Sequence, residues 1–340
     1  MLEPLVAGCV GPLVGHHDAA LFDLDGVLYV GPAAVPGAPA AVAAIRAAGV
    51  KTAFVTNNAS RTPEVVAAHL TDLGIPASPL DVVTSAQAAA RMVARLVPAG
   101  SVVLVVGGDG LVAALAEHGL TAVSSLDDGP VAVVQGFSPD VGWRLLSEGT
   151  YAVRAGLPWV ASNLDLTVPT PRGLAPGNGL LVEVIARATG RRPVVAGKPE
   201  TPLHEETIRR IGSARPLVIG DRLDTDIEGA NRAQVASLLV LTGVTAAPDL
   251  VRATPTRRPT FVAAGLDDGM LRPHPPVAQG ADGQRSCGGW ACVVDADGIR
   301  LSGNGSRLNA LRAVSVACWE SGRRPEVDEV VRVLEPTEVG

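Results

Sequence analysis

Short runs of apolar residues that end abruptly in polar residues recur along the chain. Residues 19–23 run from Ala-Ala-Leu-Phe into Asp23, and residues 51–56 end at Thr56, which two asparagines follow. Such runs are typical of strands that are buried on both faces of a parallel sheet. Between them lies an alanine-rich segment with helical spacing that stops at Gly49, so the pattern predicts a strand–helix–strand unit.

The same alternation continues to residue 84 and returns late in the chain. Thr62 and Pro63 open a helix that Gly74 ends, and residues 82–84 are the next predicted strand. After residue 192 the predicted strands are residues 194–195, 217–220 and 238–242, with a helix from residue 202 to about residue 212. We therefore predict an α/β fold in which residues 1–84 and 192–268 build one open, Rossmann-like parallel sheet.

Residues 85–191 lie between these stretches and have an alternation of their own. The predicted strands are residues 102–106, 132–135 and 159–161, and the predicted helices are residues 86–96, 141–155 and 179–188. A segment of this length can bury a small core, so we predict an inserted second α/β domain. Residues 269–340 begin with a Pro- and Gly-rich linker and continue as a hairpin and a helix, which predicts a small ββα appendage.

Composition narrows the class of protein. The 340 residues are 47% hydrophobic with 3% aromatic, which fits a tightly packed protein of more than one domain, and the net charge of −6 argues against a nucleic-acid surface. No run of about 18 apolar residues suggests a membrane span, and the start of the chain lacks the basic segment of a secretory signal. We expect a cytoplasmic protein whose four cysteines, without paired CxxC spacing, are free thiols.

An aspartate pair, Asp23 and Asp25, follows the first predicted strand, at the edge where open α/β sheets bind ligands. Both carboxylates can converge on one divalent cation there. Such a cation is needed before a carboxylate can approach a phosphate dianion, because the charge between them must be neutralised. The pair alone is also what a solvated turn looks like, so it does not decide the function.

Three further polar segments follow predicted strands. Thr56 and Asn57 offer a hydroxyl and backbone N–H groups to phosphoryl oxygens, and Lys198 lies in a tight turn where its charge can hold them. Asp221 and Asp226 are five residues apart across a turn into a helix and suit a hard cation. Each segment alone could be a helix cap or a surface turn. Together they predict a nucleophile, a proton handler, a phosphoryl clamp and a metal site, and hence a Mg²⁺-dependent phosphatase.

Four segments carry a family resemblance: FDLDGVLY at residues 22–29, TNN at 56–58, GKP at 197–199 and GDRLDTD at 220–226. They match the signature motifs of haloacid dehalogenase-like (HAD) phosphatases, which the chain resembles from about residue 18 to residue 250. The long gap before GKP resembles the NagD-like branch, which carries a large α/β (C2-type) cap. Within that branch the general character of the sequence and the C-terminal tail are most similar to those of actinobacterial glycerol 3-phosphate phosphatases.

The resemblance implies roles for the aspartates. Asp23 is the nucleophile that forms an aspartyl-phosphate, and Asp25 protonates the leaving alkoxide and then activates water. Asp23, Asp221 and the Asp25 carbonyl bind Mg²⁺, while Asp226 orients metal-bound water. One group serving as acid and then as base is chemically sensible, because it must be protonated when the ester oxygen leaves and ionised when water arrives.

The resemblance also implies substrate contacts. The phosphoryl group is bound by residues of the TNN and GKP motifs, namely Thr56, Asn57, Asn58 and Lys198. Asn163 and Asp165, in an N-x-D element of the cap, and the nearby Arg172 are predicted to contact the rest of the substrate. These cap residues could equally fix the turns of the cap itself.

Several alternatives stay open at this stage. The scarcity of aromatic residues in the cap favours a three-carbon polyol or acid over pyridoxal phosphate or a nucleotide. The resemblance implies glycerol 3-phosphate, in glycerophospholipid metabolism, as the substrate, with phosphoglycolate, pyridoxal phosphate or a broad range including p-nitrophenyl phosphate as the alternatives. A phospho-accepting signalling domain is a rival of another class, although the cap and Asp25 count against it. The tail could bind acyl-CoA, but a structural or dimerisation role fits its length better; a homodimer and a monomer both remain open.

Overall fold

A computed structural model describes residues 4–170, 172–280 and 283–334. The chain divides into two compact units, which are described separately below. The first unit comprises Met1–Thr52 with Ser213–Gly340, and the second unit comprises Ala53–Gly212. The predicted domain limits at residues 84, 191 and 268 are a different division and stay a prediction.

Both units alternate strands and helices. The strands are β1 (Cys9–Pro12), β2 (Ala19–Phe22), β3 (Tyr29–Val30), β4 (Ala33–Ala34), β5 (Lys51–Thr56), β6 (Val82–Thr84), β7 (Val102–Val106), β8 (Thr121–Val123), β9 (Ala132–Gln135), β10 (Trp159–Ala161), β11 (Thr167–Thr170), β12 (Gly173–Pro176), β13 (Val194–Val195), β14 (Pro216–Gly220), β15 (Ala236–Val240), β16 (Phe261–Ala263), β17 (Pro273–His274), β18 (Ala278–Gln279), β19 (Arg285–Cys287), β20 (Trp290–Asp295) and β21 (Gly298–Gly303). The helices are α1 (Ala38–Ala47), α2 (Pro63–Asp72), α3 (Ser85–Leu96), α4 (Asp109–Ala116), α5 (Trp143–Arg154), α6 (Asn178–Thr189), α7 (Pro202–Ile211), α8 (Glu228–Arg232), α9 (Ala247–Val251), α10 (Leu266–Leu271), α11 (Arg307–Ser321) and α12 (Val327–Leu334).

The first unit contains the Rossmann-like parallel sheet that the apolar runs predict. Within this unit β16, β15, β14 and β2 lie side by side in that order, and every neighbouring pair is parallel. All four residues of β2 are buried, as expected for a strand covered on both faces. Because parallel strands end at the same edge, the polar residues that follow β2 and β14 are brought to one place.

The second unit is an α/β body built around a five-stranded parallel sheet with the order β13-β10-β9-β7-β8. Apolar side chains of the sheet pack against α5 and α6, and the cluster includes Val106, Val133, Trp159 and Ile185. One expectation is wrong here: residues 194–195 do not join the sheet of β2, because Val194 and Val195 of β13 pair with β10. β8, α4 and the β11–β12 hairpin were not predicted from the sequence.

The C-terminal segment folds as more than a ββα appendage. The predicted hairpin is confirmed as β20 and β21, and the predicted helix as α11. β18 and β19 extend the hairpin to a four-stranded antiparallel sheet, and α12 follows α11. None of these three elements was predicted from the sequence. β18 and β19 are very short strands with little periodic pattern.

This segment shares one hydrophobic core with the parallel sheet of the first unit. The shared cluster joins residues of β15, α9 and β16 with residues of β19, β20 and α11, among them Leu239, Leu250, Val262, Cys287, Cys292, Val314 and Trp319. The four cysteines of the chain are free thiols, and burial raises the pKa of Cys292 and of Cys318 to about 12. The C-terminal elements therefore complete the core of the first unit instead of forming a separate body.

Within the described parts of the chain, none of the helices has both the length and the apolar character needed to cross a membrane.

Candidate active site

The carboxylates of Asp23 and Asp221 meet at the carboxyl edge of the first unit's sheet. The parallel register pairs Phe22 with Ile219, and the N–H of Asp23 donates to the Ile219 carbonyl at 2.8 Å. This register places Asp23 level with Gly220, the last residue of β14, and Asp221 follows directly after Gly220. Backbone pairing thus brings two aspartates about 200 positions apart in the sequence to the same edge of the sheet.

Asp226 completes a group of three carboxylates. One oxygen from each of Asp23, Asp221 and Asp226 lies within 4.8 Å of the others. Asp221 and Asp226 are each 1% exposed. The π-helical turn Leu223–Ile227 carries Asp226 back to the strand end, where the N–H of Arg222 donates to its carboxylate at 3.1 Å.

This group fits a hard divalent cation. Three carboxylates so close together repel one another strongly when ionised, and a cation removes that repulsion. Mg²⁺ prefers oxygen ligands and retains several waters, which matches a small set of aspartates. The group contains two of the predicted ligands, Asp23 and Asp221, and places the Asp226 carboxylate beside them, so the division between direct ligand and outer residue stays a prediction for Asp226.

Asp25 differs from the three clustered aspartates in its exposure to solvent. Its side chain is exposed, whereas Asp23 is half-buried. The chain turns sharply after Asp25, and the N–H of Gly26 donates to the Tyr29 carbonyl at 2.8 Å. An exposed carboxyl at such a turn can exchange protons with solvent, as an acid and base must. The predicted use of its backbone carbonyl as a ligand stays a prediction.

In the second unit the side chain of Asn57 joins segments that are distant in the sequence. Its Nδ2 donates to the Lys198 carbonyl at 3.0 Å, and its Oδ1 accepts from the Lys198 N–H at 2.8 Å. Nδ2 also lies 3.3 Å and 3.2 Å from the two carboxylate oxygens of Asp165. Lys198 is only 4% exposed. Asn57 thus fixes the backbone at the predicted phosphoryl-binding lysine.

The other residues of the TNN motif form a tight local turn. The Thr56 hydroxyl oxygen accepts from the Asn58 N–H at 3.0 Å. Asn58 in turn accepts from the N–H and the hydroxyl of Ser60, at 2.8 Å and 2.7 Å. These contacts order the segment that follows β5, and their predicted contact with a phosphoryl group stays a prediction.

The N-x-D element of the cap is tied to the same cluster. Asn163 donates to the Asn57 carbonyl at 2.6 Å and accepts from the Asp165 N–H at 3.2 Å. Four predicted site residues of the second unit, Asn57, Asn163, Asp165 and Lys198, are therefore connected by hydrogen bonds. Arg172 lies in the turn between β11 and β12 with an exposed side chain, and its N–H donates to Thr170 Oγ1 at 3.3 Å.

The chain matches family models and individual proteins in sequence. A model described as haloacid dehalogenase-like hydrolase matches residues 20–121, and a HAD-hydrolase-like model matches residues 195–269. The chain is 45% identical over 315 residues to D-glycerol 3-phosphate phosphatase of Mycobacterium tuberculosis, covering 90% of this chain and 87% of that protein. This chain belongs to the haloacid dehalogenase-like hydrolases.

Further relatives of this HAD-like hydrolase agree with that assignment. A crystal structure of glycerol phosphate phosphatase from M. tuberculosis in complex with magnesium superimposes with a TM-score of 0.86 at 42% identity, covering 95% of this chain and 98% of that one. An acid sugar phosphatase of Staphylococcus saprophyticus is 35% identical over 74% of this chain and 96% of its own length. The predicted family is confirmed.

Two buried polar residues of the second unit, near Asn163 and Lys198, were not among the predicted site residues. Asn178, at the start of α6, is 1% exposed and donates to the Asn163 carbonyl at 2.7 Å. His204 is 1% exposed, and burial together with the nearby charge of Lys198 lowers the pKa of its imidazole to about 3. The Gly-Asn-Gly sequence at residues 177–179 is typical of a turn and gives a signal for Asn178, whereas a single histidine in a helix gives none.

Proposed function

We propose that this HAD-like hydrolase is a Mg²⁺-dependent phosphatase that hydrolyses a small phosphate monoester, with glycerol 3-phosphate as the favoured substrate. The observation that carries the proposal is the meeting of the Asp23, Asp221 and Asp226 carboxylates at the end of two adjacent parallel strands. The relatives support the reaction class, since they include a glycerol 3-phosphate phosphatase and an acid sugar phosphatase.

In the proposed reaction Asp23 is the nucleophile. Its carboxylate oxygen forms a bond to phosphorus while the bond from phosphorus to the ester oxygen breaks, and Asp25 gives its proton to the departing alkoxide. Asp25, now ionised, takes a proton from a water molecule, whose oxygen attacks the aspartyl-phosphate and releases inorganic phosphate. When bound, Mg²⁺ would neutralise the charge between the carboxylate and the phosphate, with Asp23 and Asp221 among its ligands.

The phosphoryl oxygens carry negative charge, so they must be bound by hydrogen-bond donors or by positively charged groups. We propose that Lys198 provides a positive charge and that Thr56, Asn57 and Asn58 provide N–H and hydroxyl groups. A buried ammonium is weakly screened, so Lys198 stabilises negative charge on the transferred group more strongly than a surface lysine would.

Substrate choice is proposed to lie with Asn163, Asp165 and Arg172. A carboxylate held by Asn57 accepts hydrogen bonds from hydroxyl groups, which suits a polyol phosphate such as glycerol 3-phosphate. Phosphoglycolate, pyridoxal phosphate and p-nitrophenyl phosphate are the alternatives. We further propose action in the cytoplasm within glycerophospholipid metabolism, without a nucleic-acid partner; both a monomer and a homodimer are compatible with this function.

The test is phosphate release from these esters with and without Mg²⁺, comparing kcat/KM. We expect the highest value for glycerol 3-phosphate and loss of turnover on chelation. Asp23→Asn should abolish turnover while the folded structure is retained, and Asp72→Asn, at an exposed position in α2, should be as active as the wild type. A well-folded Asp23→Asn enzyme with wild-type activity would refute the assigned nucleophile.

A further inference from the structure

The loop after β15, residues 242–245, contacts Asp221, one of the three clustered aspartates of the first unit, and contains no acidic residue of its own. The N–H of Val244 donates to Asp221 Oδ2 at 2.6 Å. The N–H of Thr245 donates to the Asp221 backbone carbonyl at 3.2 Å. The side chain of Val244 is 69% exposed, so its contact with the site is made by the backbone. We call residues 242–245 the β15 loop.

Gly243 allows the β15 loop to approach Asp221 closely. A Cβ atom at position 243 would lie 2.0 Å from Asp221 Oδ2 and 2.5 Å from its Cγ, which is closer than any side chain tolerates. Gly243 is not among the glycines with a positive φ in the described chain, so the backbone conformation itself does not require glycine. The reason for glycine at this position is therefore the proximity of the Asp221 carboxylate.

Thr242 connects the β15 loop to the turn after Asp25. Its hydroxyl donates to the Gly26 carbonyl at 2.6 Å. Gly26 has a φ of +82°, and a Cβ there would lie 2.5 Å from Asp221 Oδ2. The Asp221 carboxylate is thus bordered by two backbone segments, and the Thr242 hydroxyl holds one of them in relation to the other.

We propose that the β15 loop is a positioning element for the cation site, with Thr242 and Gly243 as its positioning residues. The inference rests on the proposed function, because it assumes that Asp221 binds a cation. A carboxylate that is free to rotate must be ordered when the cation binds, whereas one already held by the Val244 N–H is in place. Hydrogen bonds behind metal ligands commonly change metal affinity by about 10–100-fold.

The contacts predict different effects for two substitutions at one position. Thr242→Val keeps the shape of the side chain and removes the hydroxyl that binds the Gly26 carbonyl, whereas Thr242→Ser keeps the hydroxyl. We expect Thr242→Val to weaken cation affinity about 10-fold or more and Thr242→Ser to stay close to the wild type. Gly243→Ala should weaken affinity at least as much, because the added methyl group must displace the Asp221 carboxylate.

The experiment measures the dissociation constant of Mn²⁺ by electron paramagnetic resonance on the full chain without substrate, with Mg²⁺ as competitor. Thr254→Val, at an exposed threonine, and Gly142→Ala, where a Cβ meets open space, are matched controls and should leave the constant unchanged. Thermal unfolding checks that each variant is folded. If Gly243→Ala does not fold, the Thr242→Val and Thr242→Ser pair decides.

A positioning role also predicts how activity responds to Mg²⁺. Turnover by Thr242→Val should recover at saturating Mg²⁺ with an unchanged KM for the ester, whereas a damaged fold would not recover. A folded Thr242→Val protein with wild-type Mn²⁺ affinity would overturn the inference. Wild-type protein that binds no Mn²⁺ would overturn both this inference and the proposed function. If the wild-type protein binds Mn²⁺ but hydrolyses no phosphate ester, and the variants bind Mn²⁺ more weakly, the positioning role is supported and only the phosphatase proposal is refuted.

Discussion

Asn57 pairs with the backbone of Lys198 as a neighbouring strand would, giving one hydrogen bond at 3.0 Å and receiving another at 2.8 Å across 141 positions of sequence. The same amide nitrogen faces the Asp165 carboxylate. With these contacts the side-chain amide is engaged inside the second unit. Its main effect is therefore to hold Lys198 and Asp165 in place, which leaves backbone groups for any contact of this segment with a phosphoryl group.

Replacement of Asn57 should reduce activity through Lys198. Asn57→Ala leaves the buried N–H and carbonyl of Lys198 without these partners, at a cost of about 1–3 kcal/mol. We expect kcat/KM to fall about 10–100-fold, mostly through a higher KM for the phosphate ester, because the lysine is no longer fixed. Steady-state kinetics on glycerol 3-phosphate at saturating Mg²⁺ measures this effect.

Asn231 offers a matched control for that substitution. Its Nδ2 donates to the Thr256 and Arg258 carbonyls at 2.9 Å and 3.0 Å, so it also bridges backbone groups. Asn231→Ala should lower stability without changing KM. Equal effects of both substitutions on KM would contradict a specific link between Asn57 and Lys198.

The sequence was sufficient for features that depend on local pattern. An apolar strand followed by a carboxylate was recognisable at Asp23 and at Asp221, and the rule that ligands bind at the carboxyl edge of a parallel sheet placed the two together. The link between Asn57 and Lys198 has no such signature, because a hydrogen bond between distant loops depends on tertiary structure. For the same reason, two valines at residues 194–195 predicted a strand but not its partner, which is β10.

The tail shows a second limit of pattern reading. From Ala310 to Trp319 every residue of α11 is buried, including Arg312 and Ser315, so the helix has no exposed face over those turns and its polar residues do not mark a surface. A segment of about 70 residues was therefore predicted as an appendage, although its helix packs into the core of the first unit. Only the neighbouring elements in space reveal that burial.

Trp319 should be essential for that shared core. The residue is 9% exposed, its Nε1 donates to the Leu250 carbonyl at 3.2 Å, and the Arg258 guanidinium lies 4.9 Å from its ring centroid. Trp319→Ala should lower the free energy of unfolding by about 3–5 kcal/mol, because it leaves a cavity and removes a hydrogen bond. Chemical denaturation measures the change.

Trp143 is the control for this tryptophan. It is 80% exposed on α5, so Trp143→Ala should change stability by less than about 0.5 kcal/mol.

Removal of residues 271–340 is a second test of the shared core. It should expose the buried faces of β15 and α9 and make the protein aggregate. A stable, soluble and fully active truncated enzyme would contradict the shared core.

Glu206 should stabilise the second unit through the arginines that surround it. The residue is 2% exposed, and its carboxylate lies 3.0 Å from Arg91 Nε, 2.7 Å from Arg209 and 2.7 Å from Arg210 Nε. Glu206→Gln keeps the shape but leaves three guanidinium groups close together without their shared anion, so we expect a loss of about 2–4 kcal/mol in unfolding free energy. Glu205→Gln, at the exposed neighbouring position, should change stability little.

His204 should make the stability of the protein depend on pH in the mildly acidic range. Both ring nitrogens lack a hydrogen-bond partner in the described part of the chain, and burial, followed by the charge of Lys198, lowers the pKa of the imidazole to about 3. The unfolded chain has an ordinary histidine pKa near 6.5, so between these two values it binds a proton that the folded protein does not. His204 therefore leaves the free energy of unfolding undiminished above about pH 6.5 and lowers it progressively as the pH falls from 6.5 towards 3.

At pH 5.5 this difference in proton binding corresponds to about 1.4 kcal/mol in the free energy of unfolding. We expect the wild type to lose about that much more stability than His204→Phe when the pH is lowered from 7.5 to 5.5, because phenylalanine fills a similar volume and binds no proton. The comparison uses the change with pH in each protein, so any constant effect of the substitution cancels. If His204→Phe followed the wild-type pH curve, the imidazole would be titrating normally in the folded protein, and its burial next to Lys198 would have to be wrong.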